Sequence, residues 1–337
     1  MEIILNDDPL NISFLEKIKC SVLILIMPNI KISDLSVDYK TSYGNIHALE
    51  NIELELKDGE SVGIAGESAC GKSTLGLTII KMLQGGKIIS GEILFDGKSI
   101  LDMPESEFDG TLRWKEISMI FQGAMNSLDP VFTIKQQFDE ILKQHGCDDK
   151  SDKIIDDVIC SVNLDHSVLE KYPHELSGGM KQRIIIAMAL LLKPKFVIAD
   201  EPTTALDVLV QAQIINLLKN LKKNGLSLMI ISHDLAILSE IAEKIGIMYA
   251  GKIIEFGTSS EIYRNPKHPY TQGLLNSIPT LHNENKLKFI PGIPPDLSTT
   301  RQGCRFFDRC PEAMDKCKTD PPKIKTESGH VLCWLYE

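Results

Sequence analysis

The sequence has no excess of positive charge, no apolar run long enough to cross a bilayer, no internal repeat and no low-complexity tract. Each lack removes a class of function. Its 46 Asp and Glu outnumber 36 Lys and Arg, a formal charge of −10. That balance argues against a nucleic-acid surface, because phosphate binding relies on clustered cations that release counterions. The longest apolar run near the start, "VLILIM" at residues 22–27, stops at Pro28, far short of the roughly 20 residues a spanning helix needs. Nor does it read as a secretory leader, since the "MEIILNDDPLN" before it is acidic where a leader is positive, and no small-residue cleavage site is evident. What is there suits a globular cytoplasmic protein: 43% apolar composition over 337 residues supports one large domain and a smaller one.

Residues 1–29 differ in character from the rest of the chain, and Met27 lies just before the alternating strand "IKISDLSVDY". They read as a poorly ordered N-terminal extension, or as the product of an upstream start codon. Strands dominate from Ile30 to about residue 100, with a hairpin signalled by Asp96-Gly97 in "SGEILFDGKSI". Between 131 and 164 the period changes to helical: Ile134, Phe138, Ile141 and Leu142 share one face, as do Ile155, Val158, Ile159 and Val162. Three runs, "SVGIAG" (61–66), "FVIAD" (196–200) and "LMIISH" (228–233), are almost continuously apolar, as parallel strands covered on both faces should be. Each ends in polar or glycine-rich sequence. Ligands in open α/β sheets lie beyond the carboxyl ends of the strands, so Gly66–Thr74, Asp200-Glu201 and His233-Asp234 are expected to converge on one site.

The stretch "GESACGKST" at 66–74 fits the phosphate loop G-x-x-x-x-G-K-[ST]. Its residues Gly66, Glu67, Ser68, Ala69, Cys70, Gly71, Lys72, Ser73 and Thr74 would wrap phosphate oxygens with backbone N–H groups, and the following helix would present its positive end. Lys72 would reach the β- and γ-phosphates and Ser73 would ligate Mg²⁺. Asp200, closing a buried strand, suits Mg²⁺ held through water, and Glu201 beside it can orient or deprotonate an attacking water.

"LSGGMKQR" at 176–183 resembles the signature of ATP-binding-cassette (ABC) ATPases, and the other cassette elements follow in the family's order. Gln122 in "MIFQG" is similar to the Q-loop, "FVIADEP" to the Walker B strand, "ALD" at 205–207 to the D-loop, and His233 to the switch histidine. The resemblance covers about residues 30–260. It implies an α/β P-loop NTPase with a RecA-like core, an antiparallel β subdomain and a helical insert at about 123–187. It further implies that Tyr39, with Tyr43 as competitor, stacks on adenine, that Gln122 touches Mg²⁺ or the attacking water, and that His233 contacts the γ-phosphate. Ser177 can cap a helix starting near Gly178, so Ser177, Gly178 and Gly179 offer a second anion site. By resemblance this site completes the nucleotide pocket of a second cassette, with Asp207 at the contact; the plainer role for Asp207 is a helix N-cap. The family usually has glycine where this sequence has Ala69; if the position needs φ > 0, alanine adds strain of order 1 kcal/mol.

The segment "RNPKHPYTQGLLNSIP" and the tail "PGIPP...GCRFFDRCPEAMDKC...C" resemble the C-terminal region of oligopeptide/dipeptide importer subunits, giving a third unit at 261–337. That resemblance implies an ATPase on the cytoplasmic face of a membrane, partnered by a like or related cassette, two transmembrane permeases and a substrate-binding protein, with coupling helices docking near "GAMNSLDPVF". Relatives carry nickel or oligosaccharides, and a soluble, non-transport ABC ATPase or a redox-sensing module are further alternatives. Cys304, Cys310, Cys317 and Cys333 are spaced C-x5-C-x6-C-x15-C, without the short pairs zinc favours. In some members such cysteines bind a [4Fe–4S] cluster, which is the expectation here; unligated thiols and zinc are the alternatives, and disulfides are disfavoured in a reducing compartment.

Overall fold

The computed structural model describes residues 30–42, 44–123, 126–147, 151–277, 289–298 and 302–337. Tyr43, the extension at 1–29, and Ala124 and Met125 of the expected docking segment lie outside the described residues. Two sheets form the frame. The first is antiparallel, in the order β2-β1-β4-β5, from β1 (Ile30–Thr41), β2 (Gly44–Leu56), β4 (Gly86–Phe95) and β5 (Lys98–Ser99). Asp96 and Gly97 both have positive φ, 47° and 77°, the turn geometry that the Asp-Gly pair selects.

Among the described residues the second sheet has eight strands, in the order β11-β12-β10-β9-β3-β8-β7-β6. These are β3 (Ser61–Ala65), β6 (Ile117–Ile120), β7 (Phe196–Asp200), β8 (Ser227–Ser232), β9 (Lys244–Tyr249), β10 (Lys252–Thr258), β11 (Lys323–Lys325) and β12 (His330–Leu332). Neighbours from β9 through β3, β8 and β7 to β6 run parallel, and every residue of β3, β7 and β8 is buried. Their side chains alternate between two cores. Phe196, Ile198, Met229 and Ile231 join the cluster under the antiparallel sheet, with Val62 and Ile64; Val197, Ala199, Leu228 and Ile230 face the cluster on the other side. A strand buried on both faces cannot show polar alternation, so the continuous apolar runs follow from position.

The helical insert forms where the period predicts it. Helix Ile134–Gln144 starts at a capping box between Thr133 and Gln136 and buries Ile134, Phe138 and Leu142. Helix Ser151–Ser161 buries Ile155, Val158 and Ile159. At the other end of the sheet, β12 pairs antiparallel with β10 through Glu255↔Val331 and Phe256↔His330. The cysteine-bearing tail therefore extends the same sheet that carries the P-loop strand.

A nucleotide edge at the carboxyl ends of the parallel strands

The register brings the expected segments to one edge. Ala65 lies beside Ser232, Asp200 beside Ile231 and Ile120 beside Ala199, so Gly66, Glu201, Gln122 and His233 all follow strand ends that are level with one another. The loop after β3 curls tightly. A Cβ on Gly66 would lie 2.1 Å from the Met248 carbonyl oxygen, and one on Gly71 would lie 2.4 Å from that of Ala48, so neither position accepts a larger residue. Ala69 has φ 63°. The family's glycine position does require the left-handed region, and this chain bears the strain of an alanine there.

Helix Lys72–Ile79 begins at Gly71 with no side-chain cap, leaving its first N–H groups open to an anion. Lys72 folds back over the loop, donating to the carbonyls of Gly66 (2.8 Å) and Glu67 (2.9 Å), with the Cys70 sulfur 3.8 Å away. Burial pushes the Cys70 thiol up despite that ammonium.

Asp200 is 3% exposed, and its Oδ1 is buried with no hydrogen-bond partner among the described residues. Burial raises its pKa, the Ser73 hydroxyl bonded to it holds it down, and the neighbouring Glu201 charge raises it again. A buried carboxyl oxygen left unspent beside a serine hydroxyl is the donor set Mg²⁺ takes, so Ser73 and Asp200 fit that ion. Glu201, at φ 50°, is held from two sides. Its Oε1 accepts from the His233 backbone N–H (3.0 Å) and faces His233 Nδ1 at 2.7 Å, while Thr204 Oγ1 donates to Oε2 at 3.1 Å. A carboxylate offers about four acceptor sites. Among the described residues three are occupied, which leaves a fourth, on Oε2, able to take a proton from water.

Other expected residues are placed around this edge. Tyr39 lies in β1 opposite Ile46 of β2 and Gly86 of β4, partly buried against the core cluster. Gln122 is exposed in the turn after β6. Ser177 caps helix Gly178–Leu190, its side chain accepting from the Met180 N–H, and Asp207 caps helix Val208–Lys223 through the Val210 N–H at 2.9 Å. The two starts touch, since a Cβ on Gly179 would lie 2.7 Å from Val210 Cγ1. Asp207 thus takes its plainer role, and any contact with a second cassette would add to that.

Residues 49–204 match the family described as ABC transporter, and residues 254–317 match the one described as Oligopeptide/dipeptide transporter, C-terminal region. The Dipeptide transport ATP-binding protein DppD of Caldanaerobacter subterraneus subsp. tengcongensis is 43% identical, over 91% of this chain and 97% of its own length. The chain belongs to the ATP-binding subunits of the oligopeptide/dipeptide ABC transporters. The Oligopeptide transport ATP-binding protein OppD of Salmonella typhimurium is 42% identical over 90% of this chain and 92% of its own. Among solved structures, the dimeric structure of a bacterial ABC transporter cassette superposes with TM-score 0.61 at 29% identity, covering 68% of this chain and 98% of that one.

In this family member the four C-terminal cysteines line one cavity of about 10 Å³, with His268, Phe307 and Trp334 among its walls. That is room for about one water. Burial pushes the Cys304 thiol up to about 11 and raises Cys310 and Cys333 as well. Among the described residues no group of three or more His, Cys, Asp or Glu is arranged to hold a metal ion, so the expected [4Fe–4S] cluster and the zinc alternative both lack a formed ligand set. Sequence reasoning missed Thr204, Tyr270 and Arg309. Tyr270 and Arg309 lie in the tail segments quoted above yet touch the phosphate loop, a contact that no local pattern marks. Among the described residues no helix is long and apolar enough to cross a membrane.

Proposed function

We propose that this chain is the ATP-hydrolysing subunit of a peptide importer and drives uptake by closing on a second cassette around nucleotide. The observation that carries it is the pair Glu201–His233, set against the Asp200–Ser73 corner and the Lys72 loop. On nucleotide binding, Lys72 exchanges loop carbonyls for phosphate oxygens, and the open N–H groups at its helix start share the charge. Bound Mg²⁺ would neutralise charge building on the transferred phosphoryl group. His233 holds the Glu201 carboxylate in place, and Glu201 Oε2 accepts the proton of the attacking water.

The partner face is supported by apolar side chains left exposed beside the D-loop, Val208 at 83% and Leu209 at 71%, next to the capped starts at Ser177 and Asp207. One chain supplies one such face, and the related cassette structure is described as dimeric. The transmembrane permeases, the substrate-binding protein, attachment at the cytoplasmic face and the division at 29/30 and 260/261 belong to the same proposal, which rests on the transporter kinship. Glu201→Gln tests it. ATP binding should persist while hydrolysis falls about 10³-fold, and uptake in vesicles reconstituted with the permeases should stop. A variant that hydrolyses and transports at the wild-type rate would remove Glu201 from the chemistry.

We propose separately that Cys304, Cys310, Cys317 and Cys333 take up a [4Fe–4S] cluster once their side chains open around it, since the cavity as it stands has room for about one water. The support is the donor set alone, four thiols around one cavity. Iron and sulfide analysis of anaerobically purified protein should find both; one zinc per chain and no iron overturns it. No step of hydrolysis runs through this site.

A further inference from the structure

The tail reaches back to the phosphate loop at Glu67, through Tyr270 and Arg309. Arg309, its side chain 6% exposed, directs its fork at both carboxylate oxygens of Glu67, at 2.8 and 2.9 Å. Its Nε donates to the Pro291 carbonyl (2.9 Å) and Nη1 also donates to the Tyr249 hydroxyl (3.2 Å). The guanidinium carbon stands 5.7 Å from the Tyr249 ring centre and 6.0 Å from that of Phe306. A planar fork fixed at four donors and flanked by two rings has one position open to it.

Glu67 is held at three points. Arg309 takes its carboxylate, the Tyr270 hydroxyl accepts its backbone N–H at 3.0 Å, and Lys72 donates to its carbonyl. Tyr270 is itself fixed in a ring cluster, with centroids 4.6 Å from Tyr249 and 5.4 Å from Phe306. Of the three holds, the Lys72 one is given up when that ammonium turns to phosphate. The tail then supplies what remains. The pairing has an electrostatic side as well: an unpaired Glu67 carboxylate would repel phosphate oxygens and compete with them for Lys72.

Resting on the reading of Gly66–Thr74 as the nucleotide loop, we propose that Arg309 is a positioning residue for ATP. It braces the loop through Glu67 and keeps that carboxylate neutralised, so the loop holds its phosphate-binding shape before nucleotide arrives. Its neighbours give the brace a second meaning. Arg309 closes the short turn Phe307–Arg309 and directly precedes Cys310, which lines the cysteine cavity. Rearrangement of the thiols would therefore move the brace.

The test uses the full-length chain with Arg309→Met, Arg309→Lys, Glu67→Gln and the Arg309→Met/Glu67→Gln double variant. Arg309→Met should raise the Kd and KM for ATP about tenfold while kcat stays within about twofold. Arg309→Lys should recover part of the loss, since it keeps the charge without the fork. In the Glu67→Gln background the Arg309 change should have almost no further effect. Unchanged affinity in Arg309→Met, a fall in kcat at constant KM, or a full Arg309 effect without the Glu67 carboxylate each overturns the proposal. Should Arg309→Met fail to fold, Glu67→Gln alone carries the judgement from the loop side: bracing expects faster amide exchange at 66–71, and unchanged exchange counts against it. Exchange at those amides in nucleotide-free protein separates the two readings. A wild type that binds no ATP would end the functional reading, while about tenfold faster exchange in Arg309→Met would still establish the brace.

Discussion

The nucleotide edge and the cysteine tail both gather charged groups against buried apolar surface, yet they use them in opposite ways. At the edge, polar capacity is left unspent. Among the described residues Asp200 Oδ1 is buried without a partner, the helix at Lys72 starts uncapped, and Glu201 keeps one acceptor site. In the tail and in β10, which pairs with it, the buried charges are committed to the fold. Arg309 is bonded to Glu67, Tyr249 and Pro291, Arg305 is bonded to Glu50 and the Ala250 carbonyl, and Glu255 accepts the backbone N–H groups of Lys267 and His268. A buried charge without a partner costs stability and persists where a ligand repays it, whereas a paired one holds elements together.

The sharpest way to break this contrast is Asp200→Asn. If Asp200 holds Mg²⁺ with Ser73, its loss should cut ATPase activity about 10²-fold or more. The nucleotide-free protein should nevertheless melt about 1–2 °C higher at pH 7. The sign comes from burial: the Asp200 pKa is raised in the fold, so the folded state prefers the proton. Stability tied to this group is complete at low pH and is lost as pH rises past its folded pKa. Asparagine mimics the protonated form, so the gain should shrink as pH falls into the ordinary carboxylate range. A lower melting temperature at pH 7 would mean that the carboxylate holds the fold together and is not reserved for a ligand.

The tail gives a stability effect of opposite sign in pH. His268 is 1% exposed, caps helix Pro269–Asn276 by accepting the Tyr270 N–H, and burial depresses its pKa to about 3. Its folded pKa lies below the unfolded value, so its contribution is present above about pH 6.5 and is lost as pH falls toward 3. His268→Asn keeps an N-cap acceptor and removes the titration. Glu255, beside it and raised by burial, runs the other way in the same range and is common to both proteins. Their difference is therefore the reading: relative to the variant, wild type should lose a few degrees between pH 7 and 5. Parallel curves would show that His268 titrates normally.

These two regions also differ in how far the sequence reveals them. The loop at 66–74, Asp200-Glu201 and His233 are legible because each functional group comes directly after a strand whose apolar run marks it as central. Parallel pairing then levels the strand ends without further instruction. The hairpin at Asp96-Gly97 and the insert's helices are legible for a similar local reason, a turn pair or a 3.6-residue period. The tail offers no such signal. β11 and β12 have three residues each, too short to alternate, and the Glu67–Arg309 pair joins positions 242 residues apart. The cysteine spacing could suggest a shared cavity, but thiols alone do not specify their occupant. Glu67 shows the limit most clearly: its place in the loop implies a phosphate contact, whereas its amide and carboxylate are bonded to the tail.

Ala69 carries the contrast to its smallest scale, since strain too can be borne at the edge for the sake of a ligand. At φ 63° the alanine Cβ crowds its own carbonyl, at a cost of about 1 kcal/mol. Ala69→Gly relieves it but frees the unfolded chain, which returns about 0.4–1 kcal/mol. The net expectation is a gain of no more than about 0.5 kcal/mol in denaturant melts, with the KM for ATP within about twofold of wild type. The backbone path already satisfies the loop, so glycine changes the energy of holding it and leaves its shape alone. A gain in stability accompanied by weaker ATP binding would mean that the alanine stiffens the empty loop against other conformations. The strain would then be one more part of the phosphate site, and the edge would differ from the tail in rigidity as well as in unspent charge.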